Sequence, residues 1–111
     1  MKTLIWLDDF RDPFKDNWIR YSPIGTDCDI VWVKTYQEFV DQIMCCGLPD
    51  GICFDHDLGT NNGNGYECAK FLVDYCINNN VKLPLYAIQS ANPVGKENID
   101  SLLKNYIKNC E

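Results

Sequence analysis

Short apolar segments alternate with amphipathic helical patterns along most of the chain. This alternation is typical of βα units that build a parallel sheet. Four segments predict strands, which run from Thr3 to Leu7, Cys28 to Val33, Gly51 to Asp55 and Leu85 to Gln89. Because βαβ crossovers are right-handed, these strands predict an open parallel sheet of order 2-1-3-4.

Each of three helical patterns has one apolar face, which predicts burial against the sheet. The first helix is predicted to begin after Thr35, in a capping box with Glu38, and to end at Gly47. The predicted buried faces comprise Tyr36, Phe39, Val40, Ile43 and Met44 in the first helix, Tyr66, Ala69, Leu72, Val73 and Cys76 in the second, and Ile99, Leu102, Leu103, Tyr106 and Ile107 in the third. Between the first two strands, Asp12 and Pro13 predict the start of a short additional helix.

Length and composition limit the class of protein. A chain of 111 residues fits one domain, so residues 1–111 are predicted to form a single domain. The net charge of −6 argues against electrostatic binding of nucleic acid, and DNA groove binding is not expected. No apolar run is long enough for a membrane span. Seven cysteines without a Cys-x-x-Cys pattern disfavour a zinc site and predict free thiols in a reducing, cytoplasmic compartment.

Acidic residues follow the first and third predicted strands directly. Asp8 and Asp9 end the first strand, and Asp55, His56 and Asp57 end the third. Ligands of open parallel sheets bind outside the carboxyl ends of the strands, at the switch point in strand order. Carboxylates that meet there need a cation, and their oxygens suit Mg²⁺, Mn²⁺ or Ca²⁺. The cluster is therefore predicted to hold a divalent cation; turn formation and helix capping by Asp8, Asp9, Asp55 and Asp57 are the alternative.

His56 is the only histidine of the chain, and it stands between two aspartates at a predicted strand end. Its imidazole is predicted to act as a general acid or base, or as a metal ligand, with a purely structural role as the alternative. Asp57 is predicted to orient this imidazole or to add a further ligand.

Further residues near the strand ends predict phosphate binding. The Ser90 hydroxyl, the Asn92 amide and the N-terminus of the last helix can hold phosphate oxygens, and Asn92 can equally cap that helix. Gly59 predicts a tight turn that lets the backbone approach a ligand. Arg11 is predicted either to face a phosphate or to form a surface salt bridge. The glycines interpreted as giving only loop freedom are Gly63 and Gly65.

Four motifs follow one another along the chain: Leu7 to Arg11, Phe54 to Gly59, Gly65-Tyr66, and Ser90 to Gly95. Together they resemble the cyclic-phosphate processing receiver-like domains, a branch of the response-regulator receiver superfamily. The resemblance extends from about Thr3 to Ile107. It implies an α/β, receiver-like (flavodoxin-like) three-layer sandwich with a short parallel sheet of order 2-1-3-4 that lacks the fifth strand.

The resemblance also implies roles for individual residues. Asp8 and Asp9 correspond to the paired metal-binding acids of receivers, Asp55 to the phosphoacceptor aspartate, and Ser90 to the hydroxyl residue that ends the fourth strand. The histidine and aspartate that follow Asp55 are extra to ordinary receivers and belong to the cyclic-phosphate branch. That branch is proposed to act on cyclic phosphates of nucleotides or RNA ends.

Two departures from the family pattern affect the expected function. The chain has no fifth strand with the usual receiver lysine, which disfavours regulated phosphotransfer from a histidine kinase. Gln89 stands where members of this branch commonly have a histidine. If that histidine acts in catalysis, this chain would be an impaired enzyme or would bind its ligand without turning it over.

The leading hypothesis is therefore a metal-dependent phosphoesterase that acts on a cyclic phosphate, in a cyclic nucleotide or at an RNA 2′,3′-cyclic phosphate end. In this hypothesis Asp8, Asp9 and Asp55 hold Mg²⁺ or Mn²⁺. The catalytic group comprises Asp55, His56 and Asp57, and the phosphate ligands are Arg11, Gly59, Ser90 and Asn92. Its partner would be such a small phosphorylated ligand or RNA end. The alternatives are a non-catalytic module that binds a cyclic nucleotide or a metal, a degenerate phosphoaccepting receiver, and an interaction protein that uses its aromatic-rich surface.

Overall fold

A parallel four-stranded sheet forms the centre of the computed structural model, which describes residues 2–59, 61–90 and 92–110, with side chains up to residue 108 in the last range. The strands are β1 (Thr3–Leu7), β2 (Asp29–Val33), β3 (Gly51–Phe54) and β4 (Leu85–Ile88). Their order is β2-β1-β3-β4, and every neighbouring pair is parallel. The predicted strand order is confirmed, and the predicted strand ends differ from the observed ones by at most one residue.

Within the described residues, three α-helices follow strands β2, β3 and β4, and they are α1 (Tyr36–Cys46), α2 (Gly65–Asn79) and α3 (Pro93–Cys110). Thr35 caps α1 as predicted, because the backbone N–H of Glu38 donates to Thr35 Oγ1 at 3.1 Å. The reciprocal bond of the capping box differs from the prediction: Glu38 Oε1 accepts the N–H of Lys34 at 3.0 Å. Helix α1 ends at Cys46 with Gly47 as its C-cap, and the φ of +81° at Gly47 suits glycine. No helix in the described part of the chain is both long and apolar enough to cross a membrane.

The three helices bury one face of the sheet. Each fully buried Leu, Ile or Phe there contributes about 1.5–3 kcal/mol. The core on this face includes Ile5, Leu7, Val33, Phe39, Ile43, Ile52, Phe54, Leu72, Ile99 and Leu103. The predicted burial of Met44 and Ile107 is wrong, since they are 66% and 39% exposed. Met44 follows Ile43 by about 100° around the helix and so turns away from the sheet. Ile107 lies near the end of the 18-residue α3, which is longer than needed to cover the four-residue β4.

The opposite face of the sheet is covered by the segment between β1 and β2. Its Trp18, Ile19 and Ile24 pack against the buried side chains of Leu4 and Trp6. In this segment the described residues form a single turn of 3₁₀ helix, Trp18–Tyr21. The third layer of the sandwich is therefore thin, and the loop that begins it lies beside the carboxyl end of β1.

The predicted start of a helix at Asp12 and Pro13 is wrong. Asp12 Oδ1 instead accepts the backbone N–H of Phe14 at 2.9 Å, which closes a local turn. Asp16 and Asn17 then adopt left-handed conformations, with φ of +52° and +58°. Because a right-handed helix cannot continue through such residues, no helix forms before Trp18.

None of the six cysteines whose side chains are described forms a disulfide, and they are Cys28, Cys45, Cys46, Cys53, Cys68 and Cys76. Cys53, Cys68 and Cys76 are fully buried and serve as small apolar residues of the core. Burial raises the pKa of the Cys53 thiol to about 12, so this thiol stays protonated.

Candidate active site

Three carboxylates meet at the carboxyl ends of β1 and β3. One oxygen from each of Asp8, Asp9 and Asp55 lies within 4.8 Å of the others. Asp8 is fully buried, Asp55 is 7% exposed, and Asp9 is open to solvent. They come together because β1 and β3 are parallel neighbours in the sheet. The structure thus brings the three predicted metal ligands together; their binding of a metal stays a prediction.

Backbone donors fix the Asp8 carboxylate. Its Oδ1 accepts the N–H groups of Phe10 and Arg11 at 2.9 and 2.8 Å. Its Oδ2 lies 3.4 Å from Arg11 Nη1, which is a long contact. The indole of Trp32 also donates to the main-chain carbonyl of Asp8 at 2.7 Å. One carboxylate oxygen is therefore used by the turn, whereas Oδ2 has a weak partner and is available to a cation.

The Asp55 carboxyl has a pKa raised from 3.8 to about 6. Burial is the largest cause, and the negative charge of Asp8 is the next. The Arg11 guanidinium and the backbone N–H of His56 act in the opposite direction, and the charge of Asp9 adds to the increase. The ionised form of Asp55 thus lacks sufficient positive charge nearby. A divalent cation would supply it, so the donor set fits Mg²⁺ or Mn²⁺.

Arg11 crosses the carboxyl edge of the sheet from the loop after β1 to the end of β4. Its Nη1 donates to the main-chain carbonyl of Gln89 at 3.0 Å, and its guanidinium carbon lies 5.0 Å from the centroid of a Trp18 ring. The side chain forms the salt bridge with Asp8 and is still 24% exposed. Arg11 can therefore hold its place and also donate to a bound anion.

An open cavity of about 340 Å³ lies over this cluster, lined by Asp8, Asp9, Phe10, Arg11, Asp55, Asp57 and Gly59. Gly59 has a φ of +87°, and a Cβ on it would lie 3.4 Å from Asp9 Oδ2. The predicted approach of the Gly59 backbone to a ligand stays a prediction. Phe10 was not among the predicted site residues; its place directly after Asp9 is the signal that would have indicated it.

His56 adjoins this cavity and is not among its lining residues. Its ring packs against α3 so closely that a Cβ on Gly95 would lie 2.3 Å from His56 Cγ. His56 Nδ1 lies 3.0 Å from Asp57 Oδ1. A neighbouring cavity is lined by His56, and it shares Asp57 and Gly59 with the acidic one. A ligand that extends across those two residues would contact the imidazole.

Ser90 and Asn92 form the turn that begins α3. The backbone N–H of Asn92 donates to Ser90 Oγ at 3.0 Å, and that of Gly95 donates to Asn92 Oδ1 at 3.0 Å. Asn92 therefore caps α3, as in the structural alternative. Neither residue lines the acidic cavity. Their predicted binding of phosphate stays a prediction.

Gln89 precedes this turn and carries an unusual side chain. Both amide atoms, Oε1 and Nε2, are buried without a hydrogen-bond partner among the described residues. Such buried polar atoms are costly, by roughly 1–3 kcal/mol each, and native structures contain few of them. Gln89 thus places unused hydrogen-bonding groups beside the end of β4.

A larger cavity, of about 410 Å³, lies at the other end of β4. Its lining is mostly apolar and comprises Lys82, Leu83, Pro84, Leu85, Tyr86, Tyr106 and Ile107. It contains none of the clustered carboxylates. Size alone therefore does not make it the candidate active site, because reaction chemistry needs the polar groups of the acidic cavity.

The sequence from residue 3 to residue 105 matches the family model described as the cyclic-phosphate processing receiver domain. The chain belongs to this family. Among curated proteins, none matches its sequence significantly.

Solved structures similar to this receiver domain include the phosphorylated cyanobacterial phytochrome response regulator RcpA, with 14% identity and a TM-score of 0.59 over 95% of this chain and 74% of that one. The response regulator domain of Thermotoga maritima CheB has 13% identity and a TM-score of 0.53, over 99% and 96% of the two chains. A fusion that contains a yeast Spc42 trimeric coiled coil has 18% identity and a TM-score of 0.62, over 98% and 78%. These likenesses show the receiver fold.

In this receiver domain the acidic cluster lies at the end of the first and third strands, and no further strand follows Ile88 in the described residues. The usual receiver lysine is therefore missing from the described sheet. Arg11 supplies a cationic contact to the cluster, through Asp8 Oδ2. It enters from the loop after β1.

Proposed function

We propose that this receiver domain is a divalent-metal-dependent phosphoesterase that opens a cyclic phosphate, in a cyclic nucleotide or at an RNA end. One observation carries the proposal: Asp8, Asp9 and Asp55 converge within 4.8 Å, in a family named for the processing of cyclic phosphates. The lack of disulfides among the described cysteines supports a reducing, cytoplasmic setting as part of the same proposal.

Asp8, Asp9 and Asp55 would hold Mg²⁺ or Mn²⁺. When bound, the cation would supply positive charge that polarises the phosphoryl oxygens. Asp8 would contribute Oδ2, because backbone N–H groups already use Oδ1. Asp9 is exposed, so its carboxylate is accessible to a cation. Asp55 would be ionised in this state, because the added positive charge lowers its pKa.

The cationic side of the cavity would position the phosphate. Arg11 is fixed at Gln89 and Trp18 and is partly exposed, so its guanidinium can donate to phosphate oxygens without much loss of side-chain freedom. Gly59 leaves space for the ligand beside Asp9. Positioning and charge stabilisation of this kind provide most of the catalysis in phosphoryl chemistry.

His56 would transfer protons during the reaction, and Asp57 would orient its imidazole. If Nδ1–H donates to Asp57 Oδ1, the other ring nitrogen, Nε2, is left as an acceptor. Nε2 could then take a proton from the attacking water or return one to the leaving oxygen. The two cavities that share Asp57 and Gly59 would place the phosphate near the carboxylates and the sugar oxygens toward His56. Ser90 and Asn92 would offer their remaining hydrogen-bond donors to the phosphate from the α3 turn.

The test incubates the purified protein and Mn²⁺ with 2′,3′-cyclic nucleotides, 3′,5′-cyclic nucleotides, cyclic dinucleotides and an RNA with a 2′,3′-cyclic phosphate end. We expect loss of at least one cyclic substrate, and none when a chelator is present. Asp9→Asn should lower the rate by at least about 10- to 100-fold, because even second-layer ligand partners cost this much. Asp74→Asn is the matched control, since it removes one exposed carboxylate from α2 far from the cluster in sequence.

The proposal fails if no cyclic substrate is consumed, or if Asp9→Asn reacts as fast as the wild type and Asp74→Asn. Asp9→Asn is the informative variant because the Asp9 side chain is exposed and its loss leaves the core intact.

A second function is favoured by Gln89, which stands in place of the family's histidine and has a buried amide without partners among the described residues. Under this alternative the domain binds a cyclic nucleotide and does not cleave it. Calorimetry with Mg²⁺ and the same ligands would then show saturable binding, with the ligand recovered intact.

A further inference from the structure

Phe10 is the most exposed large apolar side chain in the described part of the chain, at 86%. Single exposed apolar residues are common and need no special cause. Phe10 differs because it directly follows the candidate ligand Asp9 and lines the acidic cavity. An aromatic ring at this position contributes almost no buried area to the folded state. It is instead placed to contact a ligand that enters the cavity.

The backbone that carries Phe10 is held on both sides. Its own N–H donates to Asp8 Oδ1 at 2.9 Å, and the next N–H, from Arg11, donates to the same oxygen at 2.8 Å. The carbonyl of Arg11 accepts the indole N–H of Trp6, a fully buried residue, at 2.9 Å. The ring therefore projects from a fixed turn, and stacking on it would order only the Phe10 side chain and not the backbone.

The neighbouring groups define what Phe10 can contact. The carboxylates of the acidic cluster supply negative charge, and the Arg11 guanidinium supplies a positive charge that can pair with an anionic group. If these groups bind the phosphate of a phosphate ester, the remainder of the ester is the part that can reach the Phe10 ring. That part must be uncharged or weakly polar next to the carboxylates, and a planar ring gains most from an aromatic face.

We propose that Phe10 stacks on the base of a nucleoside cyclic phosphate and so makes the site selective for nucleotides over other cyclic phosphate esters. This inference rests on the proposed function. Stacking on an aromatic side chain tolerates any base, so the preference is for the presence of a base and not for its identity.

Phe14 provides a matched control. It belongs to the same loop, is 72% exposed, and does not line the acidic cavity. Phe10→Ala and Phe14→Ala each remove an exposed phenyl ring and should both fold like the wild type. A difference between them in ligand preference can therefore be attributed to the position of the ring.

The experiment compares two substrates with Mn²⁺: adenosine 2′,3′-cyclic phosphate and methyl riboside 2′,3′-cyclic phosphate, which lacks the base. In Phe10→Ala, kcat/KM for the nucleotide should fall by about 5-fold to about 150-fold, the range for stacking on one base, with no change for the riboside. Phe10→Trp should retain the preference, and Phe14→Ala should match the wild type. Equal effects of Phe10→Ala on both substrates, or none on either, would overturn the inference.

Failure of the proposed function gives a different result. If the wild type consumes neither substrate, the same two compounds are compared by calorimetry with Mg²⁺. Tighter binding of the nucleotide that disappears in Phe10→Ala supports stacking without catalysis. Equal binding of the two compounds overturns stacking, and absence of binding overturns both proposals.

Discussion

The Asp55→Asn variant is expected to be more stable than the wild type at about pH 7.5 in the absence of metal. The pKa of Asp55 rises from 3.8 to about 6 on folding, so its ionisation at that pH costs the folded state about 3 kcal/mol at most. An asparagine carries no charge, and its amide oxygen can still accept the N–H of His56. The expected gain in the free energy of unfolding is on the order of 1–3 kcal/mol.

The direction of the pKa shift decides how this difference in stability depends on pH. An acid whose pKa is raised on folding stabilises the folded state while it is protonated. This contribution is complete below the unfolded pKa of 3.8 and is lost as the pH rises through about 6. The advantage of Asp55→Asn should therefore appear between about pH 4 and pH 7 and should be absent at lower pH.

Denaturant unfolding of both proteins across this pH range, with chelator, measures the difference. Asp74→Asn removes the same charge from an exposed site and should show little gain. A difference between Asp55→Asn and the wild type that stays constant with pH would contradict the account. In excess Mn²⁺ the order should reverse, because only the wild type gains stability from binding.

The second large effect is expected for Gly65→Ala, which should destabilise the fold by about 3 kcal/mol or more. A Cβ on Gly65 would lie 2.0 Å from the main-chain oxygen of Asp55 and 3.0 Å from the Cα of His56. Both neighbours are backbone, so a rotamer change cannot relieve the contact. The better helix propensity of alanine offsets at most about 1 kcal/mol of this cost.

Gly65 also ties α2 to the candidate site, because its N–H donates to the His56 carbonyl at 2.7 Å. The variant should consequently displace Asp55 and weaken Mn²⁺ binding as well as stability. Gly47→Ala is the control: its φ of +81° strains an alanine, while a Cβ there meets nothing within 4 Å. Thermal unfolding should show the larger loss for Gly65→Ala, and an equal loss in the two variants would refute the close-packing explanation.

The elements with strong local patterns were predictable from the sequence. The alternating apolar runs and the Thr35 capping box located the strands and the start of α1, because these signals depend on neighbouring residues alone. The segment after Asp12 was not predictable, since the left-handed Asp16 and Asn17 override its helix-start signal. Burial of Met44 was predicted wrongly because the period alone does not show how much of a helix the sheet covers.

The site was predictable where strand order decides it and unpredictable where packing does. Strand ends placed Asp8, Asp9 and Asp55 in one region, and the structure brings them together. Gly65 was interpreted as a loop residue, yet it begins α2 against the backbone of Asp55. The His56 ring lies against Gly95 beside the acidic cavity. Such contacts join residues from separate elements, and no local pattern in the sequence specifies them.

The most direct test of the acidic cluster is a Mn²⁺ titration followed by electron paramagnetic resonance at about pH 7.5, in which free Mn²⁺ gives the signal. The account predicts one saturable site in the wild type and in Asp74→Asn, with affinity at least about 10-fold weaker in Asp9→Asn. Equal Mn²⁺ binding by Asp9→Asn and the wild type, or no saturable binding by the wild type, would contradict it.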